Sequence, residues 1–194
     1  MENKVKLILA FFVIIFITSC AGRNFVRPES ESLVLSKTTY QEIINRFGSP
    51  YQEGTALKNE KTVKTISYAY ATAGGSPLFD GVTAARAMGY YFSDNILVGY
   101  EFTSSFKEDN SYFDENKINQ IKKGESTRNN VIELIGKPSG MYIFPLIKNN
   151  EDNALVYLYS HAKGFKFYQQ LLVVSFDNNG LVSDVNFTSS GQKW

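Results

Sequence analysis

The residues able to do chemistry are few. The chain of 194 residues holds one cysteine, Cys20, and one histidine, His161. A histidine acting as general base or metal ligand needs companions, and no second His or further Cys is present to supply them. His161 stands at the end of a Tyr-rich stretch and reads as a strand residue. Glu108-Asp109 and Asp114-Glu115 are adjacent acids in a polar run and read as solvated loop. Gly74-Gly75 and Gly81 lack the spacing and the following Lys-Ser/Thr of a phosphate loop. Asn186-Phe187-Thr188 has the form of a glycosylation acceptor but falls inside an apparent strand. No catalytic residue, metal site or cofactor is expected, and an enzyme is not the expected reading.

Cys20 has a context. Lys4 and Lys6 precede an uninterrupted apolar run from Leu7 to Ile17. A bilayer-spanning helix needs about 20 apolar residues, and this run is too short, so it is a secretory signal and not a permanent span. The stretch Ile17-Thr18-Ser19-Cys20-Ala21-Gly22 resembles the bacterial lipobox, with Ile17 where Leu is usual. That resemblance implies a signal peptide over residues 1–19, acylation of Cys20 with fatty chains such as palmitate, and a membrane anchor at the mature N-terminus. Several acyl chains, each adding about 0.8 kcal/mol per buried methylene, suffice for stable anchoring. Loss of residues 1–19 removes Lys4, Lys6 and Glu2 and leaves 18 basic and 18 acidic side chains. A neutral chain without clustered Lys and Arg is not a nucleic-acid binder. With Cys20 acylated no thiol is left for a disulfide, so stability must come from burial.

The elements that must carry everything else are written twice. Thr39 to Pro50 (TYQEIINRFGSP) returns as Thr127 to Pro138 (TRNNVIELIGKP), 88 positions later. Each copy predicts a Thr N-cap, a short helix with apolar residues at Ile43, Ile44 and Phe47 or Val131, Ile132 and Ile135, and a Gly-x-Pro stop. Glu42 completes a capping box in the first copy; Asn130 stands at that place in the second and is not expected to. Aromatic strands follow each helix: 66–71, 90–95 and 96–105 after the first, then 155–160, 168–180 and 181–190 after the second, both units closing on Phe-Thr-Ser-Ser. The fold class expected is α+β, two tandem units, each a short helix or helix pair on a three-stranded antiparallel meander. The boundaries expected are a lipidated tether over 20–30, a first unit over 31–106, a linker over 107–116 and a second unit over 117–194. A short helix or turn is expected over 29–36, and an extra helix over 115–122.

The second unit resembles the SmpA/OmlA (BamE-like) family of outer-membrane lipoproteins. The pattern is carried by Gly124, Thr127, Val131, Gly136 and Pro138, and by Phe176, Asn179, Gly180 and Leu181 in the last hairpin. Gly124 stands one position further from Thr127 than the family spacing. The first unit keeps Thr39, Ile43, Gly48 and Pro50 but has Lys37 in place of the Gly. As a tandem pair the chain resembles the β-lactamase-inhibitor-protein fold. The resemblance implies a bacterial outer-membrane lipoprotein facing the periplasm. It would act by protein–protein binding, with an envelope-assembly or cell-wall component as partner. The alternative is an inhibitor that clamps a hydrolase in the concave face of two sheets.

One stretch departs from the duplication: Gly74 to Gly89 (GGSPLFDGVTAARAMG), read as an unusually long hairpin connection with Asp80 capping a short helix through Ala84, Ala85 and Ala87. Two readings stay open. The segment either folds back into the groove between the units, or presents Leu78 and Phe79, with Arg86 as its only cation, to a partner.

Overall fold

The computed structural model describes residues 22–29 and 32–193. The signal segment and Cys20 lie outside the described residues. Eight strands form one antiparallel sheet in strict chain order: β1 (Gln52–Lys58), β2 (Lys61–Thr72), β3 (Ala84–Ser93), β4 (Ile96–Ser104), β5 (Gly140–Ile143), β6 (Asn153–Lys163), β7 (Lys166–Phe176) and β8 (Val182–Gly191). The described residues are thus mostly β, with few and short helices. Each half has four strands where three were expected. The extra strands are β1, whose seven residues are all exposed and show no alternation, and β5, which is four residues long.

The two halves are not side by side but continuous, because β5 pairs with β4 through Gly99–Tyr142, Tyr100–Met141 and Glu101–Gly140. At that seam a Cβ on Gly140 would lie 1.9 Å from the Tyr100 carbonyl oxygen. Only glycine lets the strands approach so closely. Where β5 ends, side chains take over. Ser139 Oγ accepts from Leu158 N–H at 2.9 Å, and Thr103 Oγ1 accepts from Ser160 N–H at 2.9 Å. The buried backbone between β4 and β6 stays satisfied.

Both helices lie on one face. α1 (Tyr40–Phe47) sets Ile43 against Ile66, Met88, Tyr90, Phe92 and Phe102. Phe47 stacks on Tyr90 at 5.7 Å and Tyr40 meets Phe92 edge-on at 5.5 Å. α2 (Arg128–Ile135) sets Val131 and Ile135 against Leu155, Tyr157, Leu172, Val174 and Phe176. Such short helices do not persist alone. Burying each such side chain contributes about 1.5–3 kcal/mol and holds them in place. The tyrosines Tyr90, Tyr157 and Tyr159 are core, as the strand reading implied. The opposite face has its own cluster, Tyr142, Ile147, Ala154 and Val156.

Several expectations are corrected. The second helix does carry a full capping box: Thr127 N–H donates to Asn130 Oδ1 at 2.9 Å, so the amide oxygen serves where Glu42 serves in α1. The helix expected over 115–122 is a 3-10 turn at Glu115–Gln120. The segment Gly74 to Gly89 is not one long loop. Residues 84–89 belong to β3, with Ala84, Arg86 and Met88 buried in strict alternation, and no helix follows Asp80. Residues 22–29 are not a free tether either: Phe25 packs on the α1 core and the Arg27 guanidinium lies 5.2 Å over the Phe102 ring. Arg27 also donates to the Pro138 carbonyl, so this segment, and not the loop after Gly74, takes the space between the helices.

The helix stops test the local reading. Gly48 has φ 80° and ψ −163°, and Gly136 has φ 106° and ψ −165°, a region that is essentially glycine-only. A Cβ there would meet nothing within 4 Å, so the strain is in the backbone alone. Gly48→Ala or Gly136→Ala is expected to cost about 1–3 kcal/mol and lower Tm by about 2–12 °C. Gly54→Ala, with equal space and no positive φ, is expected to leave Tm unchanged in the same calorimetric series.

Candidate binding surface at the loop end of the sheet

The antiparallel register collects the unusual residues at one end. Thr72 pairs with Ala84, Arg86 with Ser104 and Lys163 with Lys166, so loop 73–83, the connector 105–114 and the β6–β7 turn are neighbours. Beneath them lies Arg86, on the helix face of β3 and only 6% exposed. Its guanidinium donates to Glu108 Oε1 at 2.8 Å and to the Phe25 carbonyl at 2.9 Å, and pairs with Asp109 Oδ2 at 3.1 Å. It also lies 4.1 Å over the Phe106 ring, which stacks on Tyr70. Asp109 accepts a second bond from Ser104 Oγ at 2.6 Å. The adjacent acids expected in a solvated linker are thus the counter-charges of a buried arginine. Arg86 is internal and ties β3, the connector and the N-terminal segment together.

Loop 73–83 crosses onto the second half. Leu78 N–H donates to Ser105 O, and Thr83 N–H to Ala162 O, each at 2.8 Å. Leu78 is half-buried; Phe79 remains 42% exposed and meets Tyr112 edge-on at 5.4 Å. Behind them run Tyr159, His161 and Tyr168, with successive ring centroids 5.2 and 5.6 Å apart. Burial lowers the His161 pKa, which keeps the imidazole neutral. Of the three residues read as partner contacts, the structure leaves Phe79 at the surface, sets Leu78 partly under it and encloses Arg86. Reading by spacing missed Tyr112, Phe165 and Phe167, all exposed here. The available signal was an aromatic residue next to a turn glycine in Lys163-Gly164-Phe165-Lys166.

The opposite face of the sheet holds a buried carboxyl. Glu101 Oε1 accepts from Tyr91 OH at 2.6 Å and its other oxygen from Tyr142 OH. Desolvation raises the Glu101 pKa, and the two phenol bonds only partly offset it. Nearer the loop end, a cleft of about 300 Å³ is lined by Ala69, Ala71, Ala85, Ala87, Ala162 and Phe167, with Gly22 at its mouth. No metal-holding group of His, Cys, Asp and Glu is found among the described residues, and no helix among them is long and apolar enough to cross a membrane. What the surface offers is apolar and aromatic contact area.

Comparison with known proteins finds a likeness to a family in the second half. Residues 110–186 match the family described as the outer membrane protein assembly factor BamE domain, from the connector through α2 to β8. None of the curated proteins compared with the chain matches it. Among solved structures, a Streptococcus mutans protein described as a candidate β-lactamase inhibitor protein is 15% identical, with 80% of this chain and 90% of that chain covered and a TM-score of 0.41.

The Glu101 cluster generates a pH prediction. A carboxyl whose pKa is raised on folding contributes stability fully below its ordinary value of 4.5, and that contribution is lost as pH rises through the folded value. Glu101→Gln is expected to match the wild type in Tm near pH 3.5 and to gain on it progressively toward pH 8. A constant offset across that range contradicts the assignment.

Proposed function

We propose that this is a lipid-anchored envelope lipoprotein, held at the outer membrane and facing the periplasm, that acts by binding another protein in outer-membrane assembly or envelope maintenance. The observation that carries this reading is the BamE-domain match over residues 110–186. The lipobox-like sequence ending in Cys20 supplies the anchor. Phe79 and Tyr112 supply the contact: both are large, exposed and rigidly backed by Tyr159. A few aromatic residues of this kind dominate most interfaces. Leu78 pins the loop beside Phe79 through its N–H bond to the Ser105 carbonyl, while Arg86 acts at one remove, by fixing the connector that carries Tyr112.

Two measurements test this in cells. Cys20→Ser is expected to move the protein from the membrane to the soluble fraction; a variant that still pellets and carries no lipid by mass overturns the anchor. A photo-crosslinking residue at position 79 is expected to capture a component of the β-barrel assembly machinery. Phe79→Ser should weaken recovery of that component at least tenfold, with Tm changed by only a few degrees. Capture of a hydrolase instead, or unchanged recovery from Phe79→Ser, overturns the partner assignment.

A further inference from the structure

Residues 22–29 cross the helix face without filling it. Two cavities of about 190 and 220 Å³ remain beside them, and both are lined by Pro28 and Met88, so they adjoin. The first lies beside α1 and is lined by Phe25, Phe47, Tyr68, Met88 and Tyr90; the second continues over Tyr100, Phe102 and Met141 toward Pro138. Met88 and Tyr90 are buried, while Phe25 and Phe47 are half-buried. A cavity as small as the first takes one side chain and not a drug-sized molecule.

This groove has a polar side. Tyr90 Oη is buried and has no hydrogen-bond partner among the described residues. Desolvation keeps the phenol protonated, against the charge of Arg46, so its hydroxyl is a donor without an acceptor. Such a group costs stability, and a Phe would pack there without that cost. At the rim, the Arg46 guanidinium lies 5.1 Å over the Phe47 ring, which in turn stacks on Tyr90. Arg23 lines the same cavity. Both arginines are exposed, and neither forms an ion pair among the described residues.

No Asp or Glu lines either cavity. Of the acids around them, Glu53 pairs with Lys64, and Glu108 and Asp109 pair with Arg86. Glu29 borders the next cavity together with Lys137, which leaves Arg23 and Arg46 unmatched. The hydroxyls of Tyr157 and Tyr159 also lack partners, but Tyr157 borders that acid-lined neighbour. Tyr90 alone of the three shares a cavity with unmatched cations.

We propose that the groove beside α1 takes an acidic, aromatic segment of a protein partner: a carboxylate pairs with Arg23 and Arg46 and accepts from Tyr90 Oη, while an adjoining aromatic ring lies against Phe25, Phe47 and Met88. The inference goes beyond the contact at Phe79 and stands whether or not the partner belongs to outer-membrane assembly. Hydrogen bonds to an ionised group are roughly twice as strong as neutral ones, so the carboxylate selects the site. A ring set among rings and a thioether gains edge and sulfur contacts besides area.

Met88 and Met141 are the only methionines of the mature chain and both border the groove, so their 13C-methyl signals report on it in the full mature chain carrying Cys20→Ser. Acetyl-Asp-Phe-Asp-amide is expected to shift the Met88 signal saturably, and acetyl-Asn-Phe-Asn-amide to need at least about tenfold more peptide. Arg23→Gln with Arg46→Gln is expected to weaken the acidic peptide about tenfold and to leave the Met88 signal of the peptide-free chain in place. Tyr90→Phe is expected to weaken it about threefold with Tm unchanged or raised, whereas a purely structural hydroxyl would lower Tm on removal. Equal titrations by the two peptides, or no saturable shift from either, overturn the proposal. A Met88 shift that follows protein concentration without peptide assigns the groove to a second copy of this chain and overturns it as well.

Discussion

A guanidinium removed from water is the constraint around which this molecule is arranged. A buried charge is tolerated only when its partners are well placed, since desolvation costs several kcal/mol for each ion. Arg86 meets most of that demand with ligands from two parts of the chain, the Phe25 carbonyl in the N-terminal segment and, in the connector, Glu108, Asp109 and the Phe106 ring, and only its Nε is left without a hydrogen-bond partner. Glu108 is largely exposed and can return to solvent cheaply, whereas Asp109 is 21% exposed and also bound by Ser104. The pairing with Asp109 and the tie to Phe25 therefore matter most. One side chain fixes where the N-terminal segment leaves the core, and also where the connector turns toward Tyr112.

That arrangement explains how a duplicated sequence becomes one body. Each copy of the helix motif builds its own apolar cluster, centred on Ile43 or on Val131 and Ile135. The clusters are joined on one side of the seam by β5, whose Gly140 admits the close approach to β4, and by Ser139 and Thr103 beyond it. On the helix face, residues 22–29 lie across the join, with Arg27 bonded to Pro138 in the second half and Phe25 packed in the first. The loop end then presents exposed Phe79 and Tyr112 against the Tyr159 ring, with exposed Phe165 on the neighbouring turn.

What was legible in the sequence was local. Caps and stops depend on neighbours in the chain, so Thr39, Gly48, Thr127 and Gly136 stand where spacing placed them. β1 was illegible because none of its side chains is buried, and it is held by backbone pairing with β2 and by the Glu53–Lys64 ion pair at 3.0 Å. β5 was too short to show a period. The start of β3 was hidden because an arginine occupies a core position, and the acids that neutralise it, Glu108 and Asp109, stand beyond the end of the next strand. Of the candidate surface, Phe79 could be picked out by composition. Phe165 carried a signal in the turn glycine beside it, whereas Tyr112 carried none, since its place is set by tertiary packing against Tyr159.

The central claim is that Arg86 locks the N-terminal segment to the sheet, and limited trypsin digestion of Arg86→Met, well below its melting temperature, tests it most directly. With the lock intact, the bond after Arg23 is held against the fold and is cut slowly, while Arg27 precedes Pro28 and is not a trypsin site. The account predicts that the variant is cut first after Arg23, at least tenfold faster than the wild type, while the fragment beginning beyond it stays folded. Equal rates of cleavage after Arg23 in the two proteins would contradict it.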